Sequence, residues 1–140
     1  PTLKFHETIA HSAALAAEKS QTQAIVAVSF SGSMAKRLSN RRPPVPIIAL
    51  TPHETVCRRM SLYWGVYPLQ IEAFSNMEKM FKRVVSSLKE HTHLDDEDAI
   101  VFCAGKTNMV GMSNFLGLYK VGDFCQQMQQ LESAEAKAGA

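Results

Sequence analysis

The stretch Ala24-Ile25-Val26-Ala27-Val28-Ser29-Phe30-Ser31-Gly32-Ser33 decides the fold. Its first five residues are all apolar, and a run without polar alternation is typical of a parallel strand that is covered on both faces. Hydroxyl side chains and a glycine follow at once, and a helical pattern then continues to about Asn40. A strand that leads into a helix through a short polar turn predicts one βα unit of an open α/β sheet.

The same apolar pattern recurs along the rest of the chain. It predicts further strands at residues 47–50, 66–71, 99–103 and 115–121. Because helical patterns separate the earlier strands, the sequence indicates a parallel α/β sheet with right-handed crossovers. Too few residues separate the last two strands for a helix, so we expect the final strand to run antiparallel to its neighbour.

Local signals mark the helices. Residues 5–19 are rich in alanine, and their small apolar face predicts a helix that packs closely on the layer beneath it. Thr51-Pro52-His53-Glu54 and Ser75-Asn76-Met77-Glu78 each place a hydroxyl residue three positions before a glutamate, which is the pattern of a capping box. The prolines within residues 41–46 exclude a helix interior and predict an extended lead into the second strand.

The composition is that of one ordinary globular domain. The chain has 140 residues, of which 46% are hydrophobic and 20% are charged. The net charge of +2 is too small a bias to indicate a nucleic-acid or membrane-surface protein. No apolar run approaches the roughly 20 residues of a membrane-spanning helix. The first residues also lack the basic and apolar pattern of a secretory signal.

The chain contains three cysteines, Cys57, Cys103 and Cys125, at wide spacing. Because a disulfide framework uses an even number of patterned cysteines, these are interpreted as free thiols of a reducing compartment, and we expect a cytoplasmic protein. Cys103 stands at a strand end, where a nucleophile can lie. No glycine-flanked turn surrounds it, so a small buried side chain is the simpler interpretation.

Residues 29–33, which we call the serine loop, are the first candidate site. The loop leaves the carboxyl end of a strand, where open α/β sheets place their ligands. It enters a helix whose free N–H groups suit an anion such as phosphate, and Gly32 would let the backbone approach an oxyanion closely. The alternative is a serine-capped turn without a ligand, and this segment alone favours that alternative.

Residues 105–114, which we call the glycine loop, are the second candidate site. They contain two glycines, a lysine and several side-chain donors, and such a loop is able to fold over a ligand. The alternative is an ordinary connection between the last two strands. Because both loops follow the carboxyl ends of strands, they support each other as two sides of one pocket.

Other polar clusters carry weaker signals. His91 and His93 lie near Asp95 and Asp96, but no third ligand is placed by helical or hairpin geometry, so a solvated loop is the simpler interpretation and no metal site is assigned. Six basic residues lack interleaved aromatic residues, which favours a solvated face or an acidic partner over nucleic acid. They are Lys36, Arg37, Arg41, Arg42, Arg58 and Arg59. The sequence holds no Walker A motif and assembles no catalytic triad or acid–base pair.

Several motifs stand in the order of a known family. They include Glu7-Thr8-Ile9-Ala10, the strand and serine loop at 24–32, Leu62-Tyr63-Trp64-Gly65-Val66-Tyr67-Pro68 and the segment 104–114. The most specific is Arg42-Pro43-Pro44-Val45-Pro46-Ile47-Ile48-Ala49-Leu50-Thr51. It is similar to the Arg-Pro-x-x-Pro-Ile-Ile-Ala-Val-Thr stretch in the C-terminal domain of pyruvate kinase. Residues 5–122 resemble that domain in unbroken order, which chance agreement of one motif does not explain.

This resemblance implies a three-layer α/β/α sandwich with about five strands, a mostly parallel sheet and an antiparallel last strand. In the whole enzyme such a domain follows a TIM barrel, which transfers phosphoryl from phosphoenolpyruvate to ADP with Mg and usually K ions. The barrel is not part of this chain. The resemblance therefore assigns the chain no catalytic residue, metal or cofactor of its own, and we expect the isolated chain to be inactive.

The resemblance further implies a regulatory and assembly role. The family's C-terminal domain forms a subunit contact of a homotetramer, and in regulated members it binds a phosphorylated effector. The phosphate-binding residues carried over to this chain are Ser29, Ser31, Gly32, Ser33, Gly105, Lys106, Gly111, Ser113 and Asn114. The domain is expected over residues 1–122, followed by a C-terminal extension over 123–140 that is helical or partly disordered.

The sequence departs from the family at both loops. Met34 stands where the family has a hydroxyl residue, and Met112 replaces a threonine of its Gly-Thr-Thr-Asn motif. A lost hydrogen bond to a charged group costs about 1.5–3 kcal/mol, so two losses would lower phosphate affinity by several powers of ten. We expect that the fold and the assembly role are kept, and that the phosphate site is weakened or has a different specificity. The alternative is a stand-alone, non-catalytic α/β module that binds a small phosphometabolite.

Overall fold

A five-stranded sheet is built from the apolar runs of the sequence. The computed structural model describes residues 5–104 and 115–139. Its elements are α1 (Phe5–Lys19), β1 (Ala24–Val28), α2 (Ser33–Asn40), β2 (Ile47–Thr51), α3 (Glu54–Met60), β3 (Val66–Gln70), α4 (Met77–His91), β4 (Ala99–Ala104), β5 (Phe115–Lys120) and α5 (Val121–Ala138). Every predicted strand forms, and its bounds lie within one residue of the prediction.

The strands lie in the order β3-β2-β1-β4-β5. β1 to β4 are parallel, and β5 is antiparallel to β4, which confirms the prediction for the last strand. The chain runs outward from β1 to β3 and then returns through α4 to the other side of β1. The strand order therefore reverses between β1 and β4, and such a reversal opens a crevice at the carboxyl ends of the strands.

Helices cover both faces of the sheet, as the three-layer prediction requires. One face carries α1, α2 and α3, which pack on side chains such as Ile25 and Ala27. The other face carries α4 and α5, which pack on side chains such as Val26 and Phe102. Successive residues of a strand point to opposite faces, so the continuous apolar run of β1 supplies both of these buried clusters.

The helices α3 and α4 begin close to the predicted capping boxes, but the predicted cap residues are wrong. Thr51 is the last residue of β2, and His53 is the N-cap of α3. The His53 N–H donates to the Thr51 hydroxyl over 3.3 Å, so this hydroxyl stabilises the turn before the helix. At α4, the N-cap is Asn76 rather than Ser75, and its side-chain oxygen accepts a 2.8 Å hydrogen bond from the backbone three residues on.

The last helix begins inside the fold. α5 starts directly after β5 and crosses the expected boundary between residues 122 and 123. Phe124 is fully buried, and its ring centroid lies 5.2 Å from that of Phe102 and 5.7 Å from that of Phe81. The first turn of α5 is therefore part of the core under α4.

Candidate functional site

The serine loop lies at the carboxyl end of β1, beside the reversal of strand order. Val28, the last residue of β1, pairs with Leu50 of β2 on one side and with Ala104 of β4 on the other. The N–H of the next residue, Ser29, still donates to the Leu50 carbonyl over 2.9 Å. The loop thus starts from the centre of the sheet, where its first residue is buried and held.

Serine hydroxyls and one glycine fix the shape of this loop. The Gly32 N–H donates to Ser29 Oγ over 3.0 Å, and the Ser33 N–H donates to Ser31 Oγ over 3.3 Å. The Ser31 hydroxyl itself donates to Ser33 Oγ over 3.0 Å. Gly32 has a φ of +85°, in the left-handed region that favours glycine. The turn is therefore held by its own side chains, as the ligand-free alternative requires.

The start of α2 adds hydrogen-bond donors to this loop. Gly32 is the N-cap of α2 and has no side chain to cap the helix, and the first N–H of the helix, that of Ser33, donates to Ser31 Oγ. The helix closes its first backbone bond between the Lys36 N–H and the Gly32 carbonyl, at 3.0 Å. The first-turn N–H groups before Lys36 have no acceptor within the helix, and the helix dipole adds partial positive charge there. Such an end suits an anion.

A cavity of about 210 Å³ opens beside the serine loop. Its lining comes from the loop, α2 and the first turn of α1. The lining residues are His6, Ser29, Phe30, Ser31, Ser33, Met34 and Arg37. Within the described part of the chain, this lining includes hydroxyls and two basic side chains but no carboxylate. The cavity is therefore electrostatically suited to a negatively charged group.

Sequence reasoning did not assign three basic residues to this site, since it interpreted Arg37 and Arg59 as part of a solvated face or of a surface for an acidic partner and did not consider His6. Arg37 lies one turn after Ser33 on α2 and lines the cavity. His6 lines it from α1, and its Nε2 atom is buried without a hydrogen-bond partner among residues 5–104 and 115–139. Arg59 on α3 donates from Nη2 to the Ser31 carbonyl. The four-residue spacing of Ser33 and Arg37 is a signal present in the sequence. The positions of His6 and Arg59 depend on how α1 and α3 pack.

Met34 occupies the position at which the resemblance implies a hydroxyl. Its side chain is buried in the cluster under α1, α2 and α3, and it also borders the cavity. A thioether donates no hydrogen bond, so this position adds apolar surface where the family motif has a donor. The expectation of a weakened or re-specified phosphate site stays a prediction.

The glycine loop lies outside the described residues. Its predicted site residues are Gly105, Lys106, Gly111, Ser113 and Asn114, and their roles stay predictions. The strands on either side of it are described. Ala104, the last residue of β4, pairs with Val28 of β1 and with Phe115 of β5. Of the two strands that flank the glycine loop in sequence, β4 therefore adjoins the strand from which the serine loop starts, and β5 lies one strand further out.

Cys103 is fully buried in β4, as the sequence predicts. Desolvation raises the pKa of its thiol to about 12, so the thiol stays protonated and unreactive at neutral pH. Cys57 and Cys125 are half-buried, and burial raises the pKa of each of them as well. The described cysteines therefore lack the lowered pKa of a nucleophile.

Within 5–104 and 115–139, no group of three or more His, Cys, Asp or Glu side chains is arranged to hold a metal ion. Over those ranges, no helix is both long enough and apolar enough to cross a membrane.

Known proteins share this arrangement of segments. The family described as "Pyruvate kinase, alpha/beta domain" matches residues 7–119. The pyruvate kinase of Clostridium perfringens is 35% identical over 118 residues, which are 84% of this chain and 25% of that protein. The pyruvate kinase of Sporosarcina psychrophila is 30% identical over 124 residues, with 88% and 21% coverage. Pyruvate kinase 2 of Synechocystis sp. is 34% identical over 105 residues, with 75% and 17% coverage.

The chain thus spans a quarter or less of the length of these relatives. The matched residues run from the first turn of α1 into β5, so they include the serine loop and nearly the whole sheet. The sheet also has the five strands, the helices on both faces and the antiparallel last strand that the resemblance implies. The chain belongs to the pyruvate kinase family and corresponds to its alpha/beta domain.

Proposed function

We propose that this chain is the regulatory and assembly domain of a pyruvate kinase, and that its serine loop binds the phosphate group of a small effector. The observation that carries the proposal is the cavity at the serine loop. Hydroxyls, the start of α2 and the side chains of His6 and Arg37 border one space, and no carboxylate of the described residues borders it. A phosphate dianion fits this charge and these donors.

The phosphoryl transfer belongs, in this proposal, to a catalytic barrel outside the chain. The relatives are whole pyruvate kinases, at least four times as long as the matched segment. The barrel would bind phosphoenolpyruvate, ADP, Mg and K, and this domain would hold no cofactor. The isolated 140-residue chain should therefore show no phosphoryl transfer when it is assayed with phosphoenolpyruvate, ADP and Mg. Measurable turnover would contradict the proposal.

Effector binding can be tested directly on the chain. Calorimetric titration uses fructose 1,6-bisphosphate and nucleotide monophosphates as probes. Ser31→Ala removes a hydroxyl of the loop, and Arg37→Gln removes the cation of α2 that lines the cavity. Since a hydrogen bond to a charged group contributes about 1.5–3 kcal/mol, each change should weaken binding by at least about tenfold. Lys36→Gln is the matched control, because Lys36 is exposed on the same helix and does not line the cavity.

Two results would count against the phosphate site. One is the absence of binding to every probe, and the other is binding that Arg37→Gln and Lys36→Gln weaken equally. The second result would indicate a general charge effect rather than a site at the serine loop.

The weakened or re-specified site has its own test. Met34→Ser restores a hydroxyl at the start of α2, and it should raise the affinity for a phosphate probe by about tenfold. Circular dichroism must show that the variant is folded, because Met34 is also a core residue. Tight binding of fructose 1,6-bisphosphate by the unchanged chain through both loops would contradict this part of the proposal.

Assembly is proposed to use the outer edge of the sheet. β5 is the last strand on one side of the described sheet. An edge strand of this kind has unpaired backbone N–H and C=O groups that a second strand is able to bind. Leu118 on this strand and Phe5 on the adjacent α1 expose large apolar side chains. Sedimentation of the chain should show a homo-oligomer that Leu118→Lys dissociates. A monomer at all concentrations would contradict assembly by this domain alone.

The alternative is a stand-alone module that binds a small phosphometabolite. It shares the serine-loop site but needs no barrel. The reading frame upstream of Pro1 separates the two, since a preceding (β/α)8 segment supports the kinase domain and its absence supports the module.

A further inference from the structure

A second polar cavity lies between α4 and the segment that follows β3. Its volume is about 350 Å³, which is within the range of small-molecule sites. The lining residues that matter here are Glu72, Lys82, Arg83, Ser87, Glu90 and His91. None of them belongs to the serine loop or lines the cavity beside it. No function described above uses this second cavity.

Two polar atoms, on residues that line this cavity, have no hydrogen-bond partner among the described residues. They are Arg83 Nε and Ser87 Oγ, and each is buried. Ser87 as a whole is only 7% exposed. The two residues are four positions apart on α4, so their side chains lie on one face of the helix. Buried polar groups in folded proteins are nearly always paired, so these two atoms indicate an occupant that supplies an acceptor.

The chemistry of these atoms specifies that occupant. A guanidinium group only donates hydrogen bonds, and a serine hydroxyl is able to donate one. The Nη2 atom of Arg83 is paired with Glu72 Oε2 at 3.2 Å. Nη2 lies beside Nε on one edge of the guanidinium group, so an anion that took both donors of this edge would displace Glu72. Lys82 and His91 also line the cavity, and each lies 3.8 Å from a glutamate, Lys82 from Glu78 and His91 from Glu90. Paired donors on an arginine suit the two oxygens of a carboxylate or phosphate group.

We propose that this cavity binds a small oxyanion, the carboxylate or phosphate group of a metabolite, through Arg83 Nε and Ser87 Oγ. Glu72 competes with the anion for Arg83. Its carboxylate is 80% exposed, so it can leave the guanidinium for water at small cost. The site is separate from the serine loop, and it does not rest on the function proposed for that loop.

The experiment is nuclear magnetic resonance of the ¹⁵N-labelled 140-residue chain, with inorganic phosphate and acetate as separate probes. Saturable shifts are expected for backbone amides of residues 70–72 and 83–91, and the stronger probe shows whether the site prefers phosphate or carboxylate. Arg83→Gln and Ser87→Ala should each weaken this binding by about tenfold or more. Lys89→Gln is the matched control, since Lys89 is exposed on the same helix and does not line the cavity.

A second pair of variants tests the direction of the effect. Glu72→Gln removes the competing carboxylate and should strengthen phosphate binding several-fold. Glu97→Gln is its control, because Glu97 is equally exposed and pairs with a lysine elsewhere, at 3.1 Å. This comparison remains informative if Arg83→Gln does not fold. The Ser87→Ala variant also remains informative, because it removes only one oxygen atom.

Three outcomes would overturn the proposal. The first is the absence of saturable shifts in α4 with either probe. The second is binding in α4 that Ser87→Ala and Lys89→Gln leave equally unchanged. The third is a high-resolution crystal structure, grown with phosphate, in which only ordered water meets both donors. Shifts at residues 29–33 report on the serine loop alone, so the failure of one site is distinguishable from the failure of the other.

Discussion

The two faces of the sheet are packed with side chains of very different size. Under α1, the buried helix residues are all alanine, namely Ala10, Ala13 and Ala17. Under α4 and α5, three phenylalanine rings contact one another at centroid distances of 5.2 to 5.7 Å, namely Phe81, Phe102 and Phe124. We call these the alanine face and the aromatic face.

The difference shows how each face positions polar groups. Small side chains let α1 approach the sheet closely, and His6, one turn before Ala10, then lines the cavity at the serine loop. Large rings fill the space under α4, while Arg83 and Ser87 on that helix line a polar cavity. The two faces should also be destabilised by opposite changes. Larger side chains should lower the free energy of unfolding at the alanine face, and smaller side chains should lower it at the aromatic face.

The largest expected effect is on the aromatic face. Phe124→Ala removes a fully buried ring and should lower the free energy of unfolding by about 3–5 kcal/mol, measured by urea denaturation. Leu62→Ala is the control, because Leu62 is 83% exposed and little should change. If both changes had equally small effects, α5 would not be part of the core, and the description of the aromatic face would be wrong.

The alanine face should respond to added volume. Ala13→Leu inserts a larger side chain where no space is available and should cost about 1–3 kcal/mol of unfolding free energy. Ala134→Leu makes the same change at an exposed position of α5 and serves as the control. If Ala13→Leu were as well tolerated as the control, α1 would not pack closely, and the contrast between the faces would disappear.

Much of this fold could be predicted from the sequence, because its signals are local. Strands covered on both faces need apolar residues at every position, and the five residues of β1 are all buried. The short connection before β5 was enough to predict its antiparallel direction. The caps were harder. Thr51 has the right side chain for a cap, but its backbone belongs to β2, and this depends on strand pairing that no local pattern reports.

The candidate sites divide in the same way. The turn at Ser31 and Gly32 could be predicted because the loop builds its own hydrogen bonds within a few residues, and the phosphate-binding role of these residues stays a prediction. His6 and Arg59 could not, since they reach the loop from α1 and α3, whose positions follow from packing on the sheet. Ser87 was missed for a related reason. Its importance lies in an unpaired buried hydroxyl, and sequence spacing does not report burial.

A smaller effect tests how far the close packing of the alanine face extends toward the serine loop. Gly32→Ala should cost about 1–2 kcal/mol, because Gly32 has a left-handed backbone that other residues adopt at a cost. A Cβ atom there would lie 3.5 Å from side-chain atoms of Met60 and Val56, which is ordinary contact. Gly65→Ala is the control, since Gly65 also has a positive φ but open space around it. If Gly32→Ala and Gly65→Ala lower the free energy of unfolding equally, the close packing is limited to α1. A much larger decrease for Gly32→Ala would mean that the close packing includes the serine loop.

The smallest expected effect concerns Cys103, a buried residue of the alanine face. Burial raises the pKa of its thiol from an ordinary value of 9.0 to about 12. Between these values the unfolded chain loses the proton and the folded chain keeps it, so stability that is fully present below pH 9.0 falls as the pH rises. From about pH 8 to about pH 9.5 this group alone should cost about 1 kcal/mol of unfolding free energy. The measurement is urea denaturation of the chain and of Cys103→Ala at both pH values, because the variant loses this contribution and keeps every other titrating group. An equal fall in both proteins would mean that the Cys103 thiol is not shielded from water, and the alanine face would then be packed less closely than its alanines require.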